Sequence, residues 1–439
     1  MAPETVQQGM AAEEADAPPP RGKGRGPEWL RALGPGLITG AADDDPSGIA
    51  TYSQAGAQFG LNMLWTMAFT LPLMAAVQMI SARIGRVTGA GLAANMGRVF
   101  PRWAVTSLVA LLFVANTINI AADLAAMGAA AQLVFGRGAH LFTLLFGLGS
   151  LLLQVFVPYH RYVRFLKWLT LALFAYVGVI FTVHIDWGQV AARTFAPHVE
   201  LNGALMTLVV AVFGTTISPY LFFWQSSQEV EDQEADPDQA ALLAAPAQAP
   251  RQLRRIRWDT LVGMGMSNLI AFFIILTTAV TLNAAGKTDI QTSVDAAAAL
   301  EPVAGRFAFL LFSLGVIGTG LLAIPVLAGS AGYAVAEARG WVSGLERKPR
   351  SALGFYAVIA LATGLGFALH DSPLDPIKAL FWSAVLNGLI SVPIMAAMMI
   401  VVGRRSVMGP FTAPPIQRLL GWVATLVMAA VALGMFVFR

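Results

Sequence analysis

A chain of 439 residues that is 56% hydrophobic and only 12% charged, with a mean hydropathy of +0.66, is too apolar for an ordinary soluble domain, where about a quarter of the residues are charged. It reads as an all-α polytopic membrane protein. The lack of cysteine excludes disulfides, thiolate metal sites and cysteine nucleophiles. The net charge of +3 does not call for nucleic acid, because membrane topology accounts for the basic residues.

Residues 1–30 have no apolar core and no cleavable signal, and read as a disordered cytoplasmic tail. Apolar segments follow at 64–84, 104–127, 140–158, 166–185, 203–227, 259–282, 305–328, 352–370, 377–402 and 415–438, near the ~20 residues that cross a bilayer. The region 34–60 is ambiguous, because "AADDDPSG" interrupts it. If it crosses, there are eleven spans, and all Lys and Arg except Arg137, Arg193, Lys287, Arg306, Lys378 and Arg439 fall on one side. Positive residues collect on the cytoplasmic side. Without that crossing, the basic tail (Arg21, Lys23, Arg25, Arg31) would face away from the other basic loops. The expected placement is a cell (plasma or inner) membrane, with the N-terminus cytoplasmic and the C-terminus outside. The polar stretch 229–257 is expected to be a mobile cytoplasmic loop.

The sixth span, "LMTLVVAVFGTTISPYLFFWQSSQEV", is interrupted like the first, by Gly214, Thr215, Thr216, Ser218 and Pro219. Proline removes a helix hydrogen bond and pushes the residue before it, here Asp45 or Ser218, out of helical geometry. Five spans separate the two breaks, so the expected organisation is an inverted repeat. Its halves are 31–187 and 200–402, with an extra helix at 411–439. Matched broken helices in inverted repeats point to a transporter's binding site. Asp45, a carboxylate within a span, is a functional residue by default.

These residues resemble the Nramp divalent-metal transporters. That family shows Gly-Pro-Gly, eight residues, Asp-Pro-Gly-Asn and then Gln-Ala-Gly-Ala-Gln. Here Gly34-Pro35-Gly36 is followed by Asp45-Pro46-Ser47-Gly48 and Gln54-Ala55-Gly56-Ala57-Gln58. The stretches "QMISARIGRVTG" (78–89) and "NIAADLAAMG" (119–128) agree as well. The resemblance implies a LeuT-like fold, with metal held between the breaks of helices one and six. The departures are specific. The family's asparagine ligand falls on Gly48, its methionine ligand on Ser218 and a nearby histidine on Tyr220. In helix three the aspartate is kept as Asp123, while the following glutamate becomes Ala126. This pattern is more similar to the Nramp-related magnesium transporter branch.

A thioether favours transition metals, whereas oxygen suits Mg²⁺. With the thioether gone, Asp45, Ser47, Gly48 and Ser218 form the expected metal site, an oxygen-only one with room for a partly hydrated ion. The expected function is uncoupled Mg²⁺ uptake, with Mn²⁺ accepted less selectively and the ion a transported substrate, not a cofactor. Two members of the proton route that the resemblance implies are missing: the glutamate falls on Ala126, and the histidine on a tyrosine, Tyr220, a residue type whose unperturbed pKa is about 10. The membrane potential alone supplies ~4.6 kcal/mol per 100 mV for a divalent ion. Asp43 and Asp44 are read either as cation attractors or as a solvated vestibule, and Asp123 either as a gating residue or as packing. Gln54, Gln225, Asn268 and Asn387 are second-tier candidates for the ion path, amides of this kind more often cross-linking helices. The five histidines (His140, His160, His184, His198, His370) lie near span ends with no metal-ligand spacing. Rival readings are a proton-coupled Mn²⁺ or Fe²⁺ transporter and a sodium-coupled organic-solute transporter. Three aspartates at the first break argue against an anionic substrate. No enzyme motif is present. The expected partners are divalent cations and the lipid bilayer, with the chain acting as a monomer.

Overall fold

The computed structural model describes residues 35–157, 169–198, 200–370 and 375–438. The predicted tail and the loop preceding the fifth span lie outside them. All regular structure among the described residues is helical. The first half of the chain forms α1 (Pro35–Asp43), α2 (Pro46–Phe59), α3 (Trp65–Thr88), α4 (Arg102–Phe135) and α5 (Ala139–Phe156). The second forms α6 (Gly203–Thr216), α7 (Pro219–Glu234), α8 (Ala249–Thr278), α9 (Ala308–Arg339), α10 (Leu353–Leu369) and α11 (Pro376–Gly403), and α12 (Pro415–Val437) follows. Taking α6 and α7 as one span, eight helices among the described residues are long and apolar enough to cross a membrane, and α10 is a shorter apolar one.

Both expected interruptions are present, and each has the same local cause. Asp45 (φ −70°, ψ 171°) and Ser218 (φ −76°, ψ 134°) are extended, as a residue before proline must be. Pro46 and Pro219 then open α2 and α7 at the first helical position, where a missing N–H costs nothing. The halves also pack equivalently: α2 lies on α8 as α7 lies on α3, while α4 and α9 pair across the middle. These are the exchanges that an inverted repeat of a LeuT-like fold requires.

Each broken helix is drawn close to a neighbour through a glycine. A Cβ on Gly40 of α1 would lie 2.3 Å from the Gly263 carbonyl oxygen of α8. One on Gly214 of α6 would lie 2.1 Å from the Ala384 carbonyl oxygen of α11. Small residues are the usual means by which membrane helices bring their backbones together.

The stretch 229–257 is not the bare linker expected. Its first residues finish α7 and its last begin α8, and the ion pair between Glu229 and Arg255 joins the two helices. Between them Leu242 is buried, and the backbone N–H groups of Leu242 and Leu243 donate to the carbonyls of Arg86 and Val87 at 3.2 and 3.1 Å. An apolar anchor and paired charges dock a segment whose polar composition reads as solvated.

Candidate cation site at the two helix breaks

At the first break the three consecutive aspartates part company. Asp45 is the N-cap of α2: its Oδ1 accepts from the Gly48 N–H and the Ser47 hydroxyl, both at 2.7 Å. This Asx cap satisfies donors that a helix start leaves open. It also turns Oδ2 across the break, 3.4 Å from Asn119 Nδ2 on α4 and 3.5 Å from the Tyr220 hydroxyl on α7. Asn119 Nδ2 in turn lies 3.1 Å from Asp123 Oδ2, and its Oδ1 accepts from Asn387 of α11 at 3.0 Å. The Tyr220 hydroxyl donates to the Ala42 carbonyl at 3.1 Å, linking the end of α1 to the start of α7. Asp45, Asn119, Asp123, Tyr220 and Asn387 are all buried.

Asp43 and Asp44 face the other way. Both are buried and share Ser267 of α8, whose Oγ lies 2.6 Å from Asp43 Oδ2 and 3.0 Å from Asp44 Oδ1. One hydroxyl carries one proton, so it serves only one carboxylate at a time. The solvated-vestibule expectation for this pair therefore fails, because α8 covers both side chains.

At the second break the Ser218 hydroxyl points backward, donating to the carbonyls of Gly214 (2.6 Å) and Thr215 (2.9 Å). It caps the end of α6, while the first turn of α7 has no side-chain cap. Its lone pairs remain available as ligands. Gly48 does not open onto a wide chamber, since a Cβ there would lie 3.3 Å from both Thr215 Oγ1 and a Tyr52 ring carbon.

The second-tier candidates divide. Asn387 joins the site network. Gln225 accepts from Thr39 of α1, within the contact between α1 and α7. Gln54 instead accepts from the Ile290 N–H and donates toward the Thr288 carbonyl, tying α2 to the connection after α8. Asn268 donates to the Met67 carbonyl and accepts from Thr70, cross-linking α8 to α3. These two are therefore placed away from the Asp45 network. The sequence reading missed Asn119 and Ser267. Asn119 stands one turn before Asp123, and that i, i+4 spacing on one helix face was a usable signal.

Among the described residues no three His, Cys, Asp or Glu side chains converge as a metal-binding group. What converges is a carboxylate pair with amides, hydroxyls and freed backbone around it. Two facing broken helices with such a cluster between them define a transporter of the LeuT-like class. The chain belongs to the Nramp family, whose sequence model ("Natural resistance-associated macrophage protein-like") matches residues 36–438. That family is one of metal transporters, not enzymes. The chain is 25% identical over 404 residues to the divalent metal cation transporter MntH of Klebsiella pneumoniae strain 342, covering 90% of this chain and 91% of the relative. It is 26% identical over 412 residues to the MntH of Aeromonas hydrophila, covering 89% and 92%. The solved manganese transporter of Eremococcus coleocola superposes with a TM-score of 0.71 at 16% identity, covering 95% of this chain and 89% of that one. Mhp1, a nucleobase-cation-symport-1 family transporter, superposes with a TM-score of 0.53 at 14% identity, covering 96% and 95%. These two likenesses concern the fold alone.

Proposed function

We propose that this chain carries a divalent cation across the membrane by alternating access, with the ion bound between Asp45 and Asp123 at the facing breaks. The donor set supports this reading. Asp123 Oδ1, Thr215 Oγ1 and Asn387 Oδ1 are buried oxygens at or beside the breaks without a hydrogen-bond partner. Buried polar atoms are rarely left so, and a cation satisfies acceptors in this arrangement. The donors are oxygens, with Ser218 where the family carries a thioether. That favours Mg²⁺, an oxygen-seeking ion usually held through one or two carboxylates. The proposed transport is uncoupled and driven by membrane potential, with the N-terminus cytoplasmic.

The test is flux into proteoliposomes made with the purified protein, an internal Mg²⁺-sensitive dye and an imposed inside-negative potential. Uptake in the wild type and its loss in Asp45→Ala is the expected result. Equal flux in the two would overturn the site. A second reading, proton-coupled Mn²⁺ transport, has its own observation. Met127, one turn beyond Asp123, places its sulfur against Gly320, which Pro46 also faces, so a soft donor stands beside the first break. The relatives described as divalent metal and manganese transporters agree with it. A pH-sensitive dye in the same liposomes decides: acidification that tracks Mn²⁺ entry selects this reading and refutes uncoupled transport.

A further inference from the structure

We propose that His140 and His370 form a second metal site, for a borderline transition ion such as Zn²⁺ or Ni²⁺, at the adjoining ends of α5 and α10. The two rings lie with centroids 5.8 Å apart and planes at 74°. Two imidazoles sharing one ion through bonds of about 2.0–2.1 Å place their ring centres roughly 5–6 Å apart. The pair therefore stands at a ligating separation already. The helices beneath it are packed together, with Gly147 of α5 against Phe367 of α10.

His370 is set for the role. Its Nδ1 lies 2.5 Å from the Phe367 carbonyl oxygen. A carbonyl only accepts, so this nitrogen carries the proton and the neutral ring keeps a lone pair on Nε2. That Nε2 is buried and has no hydrogen-bond partner. Stacking on Phe367, with centroids 4.8 Å apart and planes at 16°, holds the ring in place. Donation from one ring nitrogen to a carbonyl is how proteins fix the tautomer and direction of a metal-binding histidine. His140 is exposed at the start of α5, so an ion can arrive from solvent and retain water at the open positions. Imidazole nitrogen suits Zn²⁺, Ni²⁺ and Cu²⁺, whereas Mg²⁺ takes oxygen. The histidine pair and the oxygen cluster at the breaks would thus sort ions between them. Both histidines lie on the face that the distribution of basic residues assigns to the outside.

The site stands whether or not Mg²⁺ is the transported ion, and its test needs no transport. Untagged full-length protein in detergent is titrated calorimetrically with Zn²⁺ in saturating Mg²⁺. The wild type is expected to bind one Zn²⁺ whose affinity falls ~100-fold or more in His140→Ala and equally in His370→Ala, beyond the cost of losing an outer-shell partner. With Cu²⁺ as the probe, electron paramagnetic resonance should show two coupled nitrogens in the wild type and one in either variant. Unchanged elution and cation flux verify that the variants are folded. If His370→Ala does not fold, His370→Gln and His140→Ala carry the test. A Zn²⁺ isotherm that neither substitution alters, or a Cu²⁺ signal that neither alters, overturns the proposal.

Discussion

The two helix breaks have the same backbone plan and opposite chemistry. Each has an extended residue followed by a proline that opens the next half-helix. At the first, a carboxylate fills the cap position and spends one oxygen on its own helix, leaving the other to face α4 and α7. At the second, a hydroxyl turns back onto the carbonyls of the helix that has just ended. One break therefore supplies charge, and the other supplies dipoles and hydroxyl oxygen. Backbone topology opens the membrane helix at both places, but the residue before the proline decides what the opening can bind.

The strongest way to break this comparison is to remove the charge while keeping the cap. Asparagine caps a helix about as well as aspartate, so Asp45→Asn should fold normally. Its cation flux in proteoliposomes should nonetheless fall by ~100-fold or more, since the proposed site relies on the charge of that buried carboxylate. If Asp45→Asn transports normally, the first break does not act through charge. Next in size is Asn119→Leu, which separates Asp45 from Asp123 with an apolar side chain. A loss of roughly 10–100-fold in cation affinity is expected, the usual cost of removing a partner that orients ligands, and binding titration will measure it.

Ser218→Met sharpens the comparison by giving the second break a soft donor. Competition assays should then show Cd²⁺ and Mn²⁺ gaining on Mg²⁺ by ~10-fold, because thioether sulfur favours transition metals. An unchanged rank order would mean that position 218 does not face the ion. The smallest effect expected is that of Tyr220→Phe, which cuts the tie between the breaks at the Ala42 carbonyl. One hydrogen bond contributes about 1 kcal/mol, so thermal unfolding should shift slightly and flux should change by no more than ~10-fold.

Much of this was legible in the chain itself. Long apolar segments mark the chain as a multi-pass membrane protein, and Asp45-Pro46 and Ser218-Pro219 mark both openings within a residue. Asn387 was legible as a polar residue inside an apolar span and Asp123 through the family resemblance, and the structure brings both into the Asp45 network. Asn268 and Gln54 looked equally eligible, yet one cross-links α8 to α3 and the other ties down an outer connection. A buried amide needs partners wherever it lies, so its presence in a span does not say which way it points.

The sequence by itself determined that this is a multi-pass membrane protein and where two of its helices open. Those outcomes follow from local physics: transfer of apolar side chains into lipid and the missing N–H of proline. Only the tertiary structure decided that Asp45 faces Asn119 while Asp43 and Asp44 turn to Ser267. Nor could spacing along the chain show that His140 stands beside His370. Such pairings depend on the rotation and contact of helices remote in sequence, set by close approaches such as Gly40 on Gly263. No local propensity encodes them.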